Sequence, residues 1–379
     1  MYSEMKTRIK HPSEFLPGTI TEAIRSEASK AEQDRTLTLV QRNCIHEQGW
    51  FNMYVPQEFG GLGLSLPEIL RTEEALSWAD GSTAWVVTLC SGAAWFVGFL
   101  DTELSKSIFS GEDVCFAGSG AVTGIADRTL SGYNIHGNWK YATGSLFASV
   151  FTVNCHISKN GILLHHADGT PVIRSFFLKR NEVTLHPTWN AMGMIATGSH
   201  SFDVKNITVP FNRSFVIHPD NTTLSHPIFK YPFLQLAETT LAVNLSGMAY
   251  RFFDLCAEIL SKRETNSTEG YLKKIQEART KLDDVRSAFY NDTDKGWQML
   301  ISESAIADAS LSDISKLSHD LVNVCRDLVN NLYPFCGLEA ANTQSEINRV
   351  WRNFHTAGQH SLFRRPHFVA PQRLEKFPS

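Results

Sequence analysis

The fold of this chain turns on how one stretch near its C-terminus is read: Arg349-Val350-Trp351-Arg352-Asn353-Phe354-His355-Thr356-Ala357-Gly358-Gln359-His360. As a helix, it places Ile347, Val350, Trp351 and Phe354 at the i, i+3, i+4, i+7 spacing of a buried face. Arg349, Asn353, Thr356 and His360 follow at steps of 4, 3 and 4, which puts them together on another side. On spacing alone that polar stripe is the solvated side of an amphipathic helix. It faces a pocket only if the rest of the chain supplies something to cover it.

The bulk numbers describe an ordinary globular protein. With 379 residues, 42% hydrophobic and 20% charged, the chain can bury cores for two or three domain-sized units. A net charge of −4, with Lys262–Arg263, Lys273–Lys274 and Arg364–Arg365 set among acidic residues, gives no basic patch for nucleic acid. Seven scattered cysteines without a CxxC pair read as free thiols of a reducing compartment, with neither a disulfide framework nor a metal site. The opening MYSEMKTRIK carries no apolar signal region, so the expected location is cytoplasmic. Asn-x-Ser/Thr triplets such as those at Asn206, Asn221 and Asn266 are then chance products. The run from Ser82 to Leu100 is apolar but diluted by Ser, Thr and Gly, which predicts a helix buried on all sides and no membrane span.

Taken in order, residues 1–113 read as an N-terminal helical domain. Thr19-x-x-Glu22 and Ser65-x-x-Glu68 are capping-box patterns, the second with Pro67 behind it. A long helix ending near Gly49 precedes the Tyr54–Ser65 loop, whose Gly60-Gly61-Leu62-Gly63 forces a tight turn. Residues 114–227 change texture to short β-branched and aromatic runs punctuated by Gly, Asn and Asp. With no helices between them, they predict a middle antiparallel β-barrel or sandwich. Residues 228–379 are helical again, with segments 233–262, 268–306 and 311–332, a break at Tyr333–Gly337, and the opening stretch; this is the content of a four-helix bundle. The tail from Arg364, with Pro366, Pro371 and Pro378, reads as irregular. The class is α+β.

Common catalytic patterns are missing. Gly118-Ser119-Gly120 with Gly124 is not GxGxxG and is followed by a strand, so a dinucleotide fingerprint fails in context. His165-His166 falls in a polar turn. Three strings, in order, resemble the acyl-CoA dehydrogenase superfamily: Val55-Pro56 with Phe59-Gly60-Gly61-Leu62-Gly63; Gly137-Asn138-Trp139-Lys140-Tyr141-Ala142-Thr143-Gly144; and Trp189 to Gly193 with Thr197, Ser199 and Val209-Pro210. The resemblance covers nearly the whole chain. It implies a flavin cofactor (FAD or FMN), a homotetramer, and flavin contacts from Tyr141, Thr143, Gly144, Thr197 and Ser199. Arg263 follows the first bundle helix where the family carries a flavin-contacting arginine, but its Phe-Gly partner is absent from Glu264-Thr265-Asn266-Ser267. Tyr141 also reads as a plain core aromatic and Thr143 as a plain strand residue.

Two departures bear on the reaction. Phe116–Thr123 lacks the family's Thr-Glu-Pro loop, and no acid occurs between Glu346 and Glu375, where the dehydrogenase base belongs. Trp351-Arg352-Asn353 with His360 eight residues after Arg352 instead resembles the family's two-component flavin-dependent monooxygenases. That likeness implies reduced flavin supplied by a separate reductase, a small aromatic or heterocyclic substrate, and catalytic roles for His360 and Thr143. An imidazole suits this chemistry because it exchanges a proton near pH 7. One alternative keeps acyl-CoA dehydrogenation with Glu238, on the first bundle helix, as base; another is a flavin-binding protein that lacks catalysis.

Overall fold

The computed structural model describes residues 9–111, 113–263 and 268–363. The Arg364–Arg365 pair, the proline-containing tail and the Glu264–Ser267 stretch after Arg263 lie outside the described residues.

Five helices come first: α1 (Gly18–Asp34), α2 (Leu39–Glu47), α3 (Leu66–Ala79), α4 (Gly81–Ala94) and α5 (Thr102–Phe109). The single helix expected before Gly49 is two, because Arg35 takes the left-handed conformation (φ 58°) and Thr38 and Gln41 then form a reciprocal cap on α2. The Thr19–Glu22 box does not form, since α1 already starts behind Pro17 without a side-chain cap. The Ser65–Glu68 box does form, with the Ser65 N–H donating to the Glu68 carboxyl at 2.8 Å. The glycine loop closes on its own chain: Gly63 N–H donates to the Val55 carbonyl at 2.8 Å, and a Cβ on Gly61 would sit 2.1 Å from that oxygen.

Gly81–Phe99 has the length and composition of a membrane span, yet 78% of its apolar window is buried inside the fold. It lies against α6 (Phe233–Ser261) and runs the opposite way. Gly81 meets Met248, Thr88 accepts a hydrogen bond from Asn244 at 2.8 Å, and Trp95 stacks on Phe233 at 5.6 Å.

The middle of the chain forms β1 (Phe116–Arg128), β2 (Gly132–Ala142), β3 (Val150–Lys159), β4 (Ile162–Leu163), β5 (Ile173–Lys179), β6 (Thr184–His186), β7 (His200–Pro210) and β8 (Ser214–Phe215). They make one sheet in the order β6-β7-β2-β1-β3-β5-β8, with β4 beside β3. The sheet is mixed, not purely antiparallel, because β1 and β3 are parallel. After the β1–β2 hairpin the chain passes across the end of β1 and lays β3 along its far side, a parallel pairing reached without a crossover helix. Trp139 locks the three strands. Its indole crosses β1 where Gly124 leaves room (an added Cβ would lie 2.1 Å away), and its Nε1–H donates to the Asn154 carbonyl on β3 at 3.1 Å. The Gly118–Gly124 stretch is therefore strand, with two register shifts, and its glycines serve packing.

The second helical region adds α7 (Thr268–Glu303), α8 (Asp308–Cys336), the short α9 (Leu338–Ala341) and α10 (Glu346–Ala357). α6 and α8 are parallel at a constant offset, matching Gln235 to Ser315 (3.0 Å), Glu238 to His319 (3.2 Å) and Cys256 to Cys336 (3.1 Å). The break expected at Tyr333–Gly337 comes later, because α8 runs through Pro334 to Cys336. Arg263 donates to the Phe335 carbonyl at 2.8 Å and to that of Cys336, placing a cation at the negative end of the helix dipole.

One buried ion pair ties the two helical regions together. Arg286 on α7 grips Glu74 on α3 through two bonds of 2.8 and 2.7 Å, while Ser246 and Tyr290 donate to the same carboxyl. With both charges almost fully buried, the pairing holds the Glu74 carboxyl below its ordinary range. Removing one partner strands the other charge, so Arg286→Met should lower unfolding free energy by about 3–5 kcal/mol, measured by urea denaturation. Replacing both partners with apolar residues should cost less than that single change.

Candidate functional site

The residues expected to meet a cofactor sit where β2 leaves the sheet. Trp139 pairs with Phe202 and Ala142 with His200, so β2 carries one extra residue against β7, a β-bulge. Tyr141 occupies it in the left-handed conformation (φ 68°), a costly backbone state for a bulky residue. Simple alternation would turn Tyr141 to the same side as buried Trp139; the bulge leaves its ring 67% exposed, edge-on to Trp189 at 6.0 Å. The alternative of a core aromatic does not hold.

Just beyond it, three buried hydroxyls meet. Thr143 Oγ1 and Ser199 Oγ are 2.9 Å apart, Ser199 Oγ and Thr197 Oγ1 2.7 Å, and Thr197 donates to the Met194 carbonyl at 2.8 Å. Each hydroxyl has one proton, so with Thr197 committed, Ser199 donates either to Thr197 or to Thr143. Thr143 correspondingly presents an acceptor or a donor outward. Gly144 plays a different part from the one expected: its N–H is engaged by the Thr197 carbonyl at 2.9 Å, and its missing Cβ makes room for Cys90, whose Sγ would lie 2.7 Å from it.

Cys90 belongs to α4, which brings the hydroxyl cluster and His360 to one element. Trp85, Leu89 and Gly92, with Phe96 in the short turn of helix that follows, come at steps of 4, 3 and 4 and form its less completely buried face. His360 lies at one end, its ring 6.1 Å from Trp85. Phe96 lies at the other, 5.5 Å from Phe215 and 5.7 Å from Phe233. A Cβ on Gly92 would meet nothing within 4 Å, so the middle of this stripe opens onto space. In the sequence these residues belong to the apolar run that reads as a helix buried on all sides. The signal available was a glycine at mid-helix within a periodic aromatic stripe.

The polar side of α10 is covered by the loop that enters β7. Asn353 is buried and its Oδ1 accepts the Met194 N–H at 2.6 Å; Arg352 donates to the Met192 carbonyl at 2.7 Å and pairs with Glu32 on α1 at 2.6 Å. Gly193 is required there, since a Cβ would lie 2.1 Å from the Arg352 carbonyl. Arg35, at the end of α1, holds the Trp189 carbonyl at 2.6 Å. α10 ends at Ala357, so His360 is not on the helix; it follows a turn in which its N–H reaches the Ala357 carbonyl at 3.0 Å. His355, on the helix, packs against Trp351 at 4.3 Å.

Two further residues stand apart from the hydroxyl cluster. Glu238, on α6, is 5% exposed, with one oxygen 3.2 Å from His319 Nε2. Arg263 caps α8, about 20 Å along α6 beyond Met248 at 1.5 Å per residue, and the structure does not bring it to Thr143 and Ser199.

The donor set fits a flavin edge. A hydroxyl that can switch between donor and acceptor suits a ring nitrogen whose proton comes and goes, and the aromatic α4 stripe supplies apolar surroundings. The family's N-terminal domain matches residues 17–100, and its C-terminal domain, described as the acyl-CoA dehydrogenase C-terminal domain, matches 239–365. The chain belongs to the acyl-CoA dehydrogenase superfamily. Within that superfamily it has relatives that are monooxygenases. It is 26% identical over 353 residues to an indole-3-acetate monooxygenase of Acinetobacter baumannii, spanning 90% of this chain and 89% of that one. It is also 26% identical over 360 residues to the flavin-dependent monooxygenase oxygenase subunit HsaA of Mycobacterium tuberculosis, spanning 89% and 88%. The fold superimposes on XiaF from Streptomyces sp., solved with FADH2 and glycerol, with a TM-score of 0.83 at 20% identity, covering 93% of this chain and 91% of that one.

Two expected outcomes follow from this acyl-CoA dehydrogenase-fold site. Asn353→Ala leaves the Met194 N–H buried without its acceptor and should cost about 1–3 kcal/mol, read by chemical denaturation. Burial also lowers the His360 pKa, as it does for His200 and His355. The unfolded chain then binds protons more readily, so their share of stability is complete above pH about 6.5 and declines as pH falls below it. His360→Gln should show a smaller loss of stability than the native protein between pH 7 and 5 in matched melts.

Proposed function

We propose that this protein is the oxygenase component of a two-component flavin-dependent monooxygenase acting on a small aromatic or heterocyclic substrate. Its reduced flavin would come from a separate reductase. The observation that carries this reading is the placement of His360. An imidazole held neutral by burial stands against Trp85 at the end of the aromatic stripe, and the sequence has no carboxylate between Glu346 and Glu375. A dehydrogenase needs a base to take an α-proton as hydride leaves; a hydroxylase needs a group that accepts a phenolic or similar proton.

When bound, reduced flavin supplies two electrons and, with O2, the oxygen atom inserted into a substrate C–H, the other oxygen leaving as water. The residues of this chain do the rest. Trp85, Leu89, Gly92 and Phe96 orient a flat apolar ring and keep water from it. His360 takes the substrate proton at Nε2 in the tautomer that carries its own proton on Nδ1, which gives up the long 3.4 Å approach of the Leu362 N–H to that nitrogen. Thr143, backed by Ser199 and Thr197, gives or takes a hydrogen bond at the cofactor edge. We also infer a homotetramer in a cytoplasmic setting; the described cysteines are all free thiols, which agrees with a reducing compartment.

The acyl-CoA dehydrogenase alternative rests on Glu238, which is buried as a base would be. Its carboxyl, however, is engaged by His319 between α6 and α8. The test uses reduced flavin, O2 and an indole or phenol panel. His360→Ala should cut hydroxylated product by at least about 10²-fold, with oxygen uptake diverted to hydrogen peroxide. Unchanged coupled turnover in that variant overturns the assignment, and acyl-CoA-dependent bleaching of the flavin that is lost in Glu238→Gln would restore dehydrogenation.

A further inference from the structure

The parallel register of α6 and α8 brings two thiols into contact at its far end. Gln235 meets Ser315 and Glu238 meets His319 near the start of both helices. Where the helices finish, Cys256 Sγ lies 3.1 Å from Cys336 Sγ. A disulfide bond is about 2.05 Å long, so a closure of about 1 Å separates this pair from a covalent link. Both side chains are buried, and neither takes part in the site built around Thr143 and His360.

The two sulfurs differ in their surroundings. Cys256 is packed in the body of α6, where burial pushes its thiol pKa up. Cys336 is the last residue of α8, followed by Gly337 (φ 65°) and by Leu338, which is 88% exposed. The hydrogen bond from Cys256 lowers the Cys336 thiol below its ordinary range; burial opposes that shift and the Arg263 charge adds to it. Arg263 is at hand because it donates to the carbonyls of Phe335 and Cys336. The negative end of the α8 dipole would otherwise disfavour a thiolate here. Cys115, beside Cys90, is a contrasting case. Burial holds its thiol well above the usual range, and its sulfur turns to the Phe116 carbonyl at 3.9 Å.

We propose that Cys256 and Cys336 are a peroxide-reactive dithiol, a modification site whose oxidised state is a disulfide stapling α6 to α8. The Cys336 thiolate attacks hydrogen peroxide and keeps one oxygen as S–OH; the O–O bond breaks and the other oxygen leaves as water, with the thiol's proton. Cys256 Sγ then attacks Cys336 Sγ. The S–S bond forms, the S–O bond breaks, and the hydroxyl leaves with the Cys256 proton as a second water. Two thiols lose two electrons, and one peroxide becomes two waters. In a reducing compartment the pair rests as thiols, and a thiol reductant restores it. The link spans 80 positions of chain, α7 included, and so takes freedom from the unfolded state. None of this chemistry uses the flavin.

The test treats the native protein with hydrogen peroxide, blocks remaining thiols, and maps tryptic peptides without reductant. Trypsin releases Cys256 in residues 252–262 and Cys336 in 327–349, each without a second cysteine. These peptides should appear joined, two hydrogens lighter than the separate pair, and part again in dithiothreitol. Cys256→Ser should leave Cys336 as a sulfenic acid that dimedone labels, while Cys336→Ser should leave Cys256 unlabelled at the same dose. The linked protein should unfold at higher urea than the reduced one, a shift that both serine variants lose. Native protein that keeps both thiols under peroxide that oxidises the urea-unfolded chain overturns the proposal, as does a Cys90–Cys115 link that forms first. Preferred labelling of Cys256 overturns the order of attack, and a linked form that unfolds no later than the reduced one overturns the staple.

Discussion

Much of this structure depends on one hydrogen bond, from the Met194 N–H to Asn353 Oδ1. It is where the sheet is fastened to the bundle. A polar side chain on α10 would otherwise face water; here it satisfies a backbone donor of the loop entering β7, inside a contact close enough to exclude any side chain at Gly193. Arg352 and Arg35 hold neighbouring carbonyls of the same loop. The segment carrying Thr197 and Ser199 is thereby set at a fixed distance from the end of α10, and so from His360. Moving α10 would move the loop, the hydroxyls and the imidazole together.

The second constraint is α4, a helix that has to satisfy two environments. One side seats Gly81, Thr88 and Trp95 against α6, where small residues and a buried hydrogen bond allow close approach. The adjoining face carries Trp85, Leu89 and Gly92, continued by Phe96 just past the helix, while Cys90, further round, touches Thr143. A helix buried all round has no solvated face to fix its rotation, so its orientation is set by the glycines and by the aromatic cluster at its end. This explains how the strand that carries Thr143 and the imidazole of His360, some 217 positions apart, come to be placed against one helix.

The order of helices, strands and helices was legible because each region keeps a single period over a long span. The bulge at Tyr141 was not. Alternation along Gly137–Thr143 turns that ring inward, and only the extra residue opposite β7 reverses it. The parallel β1–β3 pairing was likewise hidden, since a connection without a helix normally returns antiparallel, and the choice of β1's far edge is a matter of sheet order. Pro334 read as a stop because its ring removes a helical hydrogen bond; the Arg263 cap on the following carbonyls offsets that loss. Among site residues, Thr143, Thr197 and Ser199 stood in the strings that resembled the family, and the structure brings their hydroxyls together. Gly144 stood there too, and Arg263 was expected from its place after the first bundle helix, yet their polar groups are engaged elsewhere.

By itself, then, the sequence determined the class of fold, the run of helical and β segments, and the residue types available for chemistry. It showed an imidazole and no acid at the C-terminal end, because residue identity and short-range period are local properties. Tertiary structure alone decided that the polar stripe of α10 is a docking surface and that His360 lies beyond its last turn against Trp85. It alone left one oxygen of Glu238 without a partner among the described residues. Those are properties of how separate segments meet: a side chain is solvated, satisfied or stranded according to what the rest of the chain places against it, and no local pattern records that.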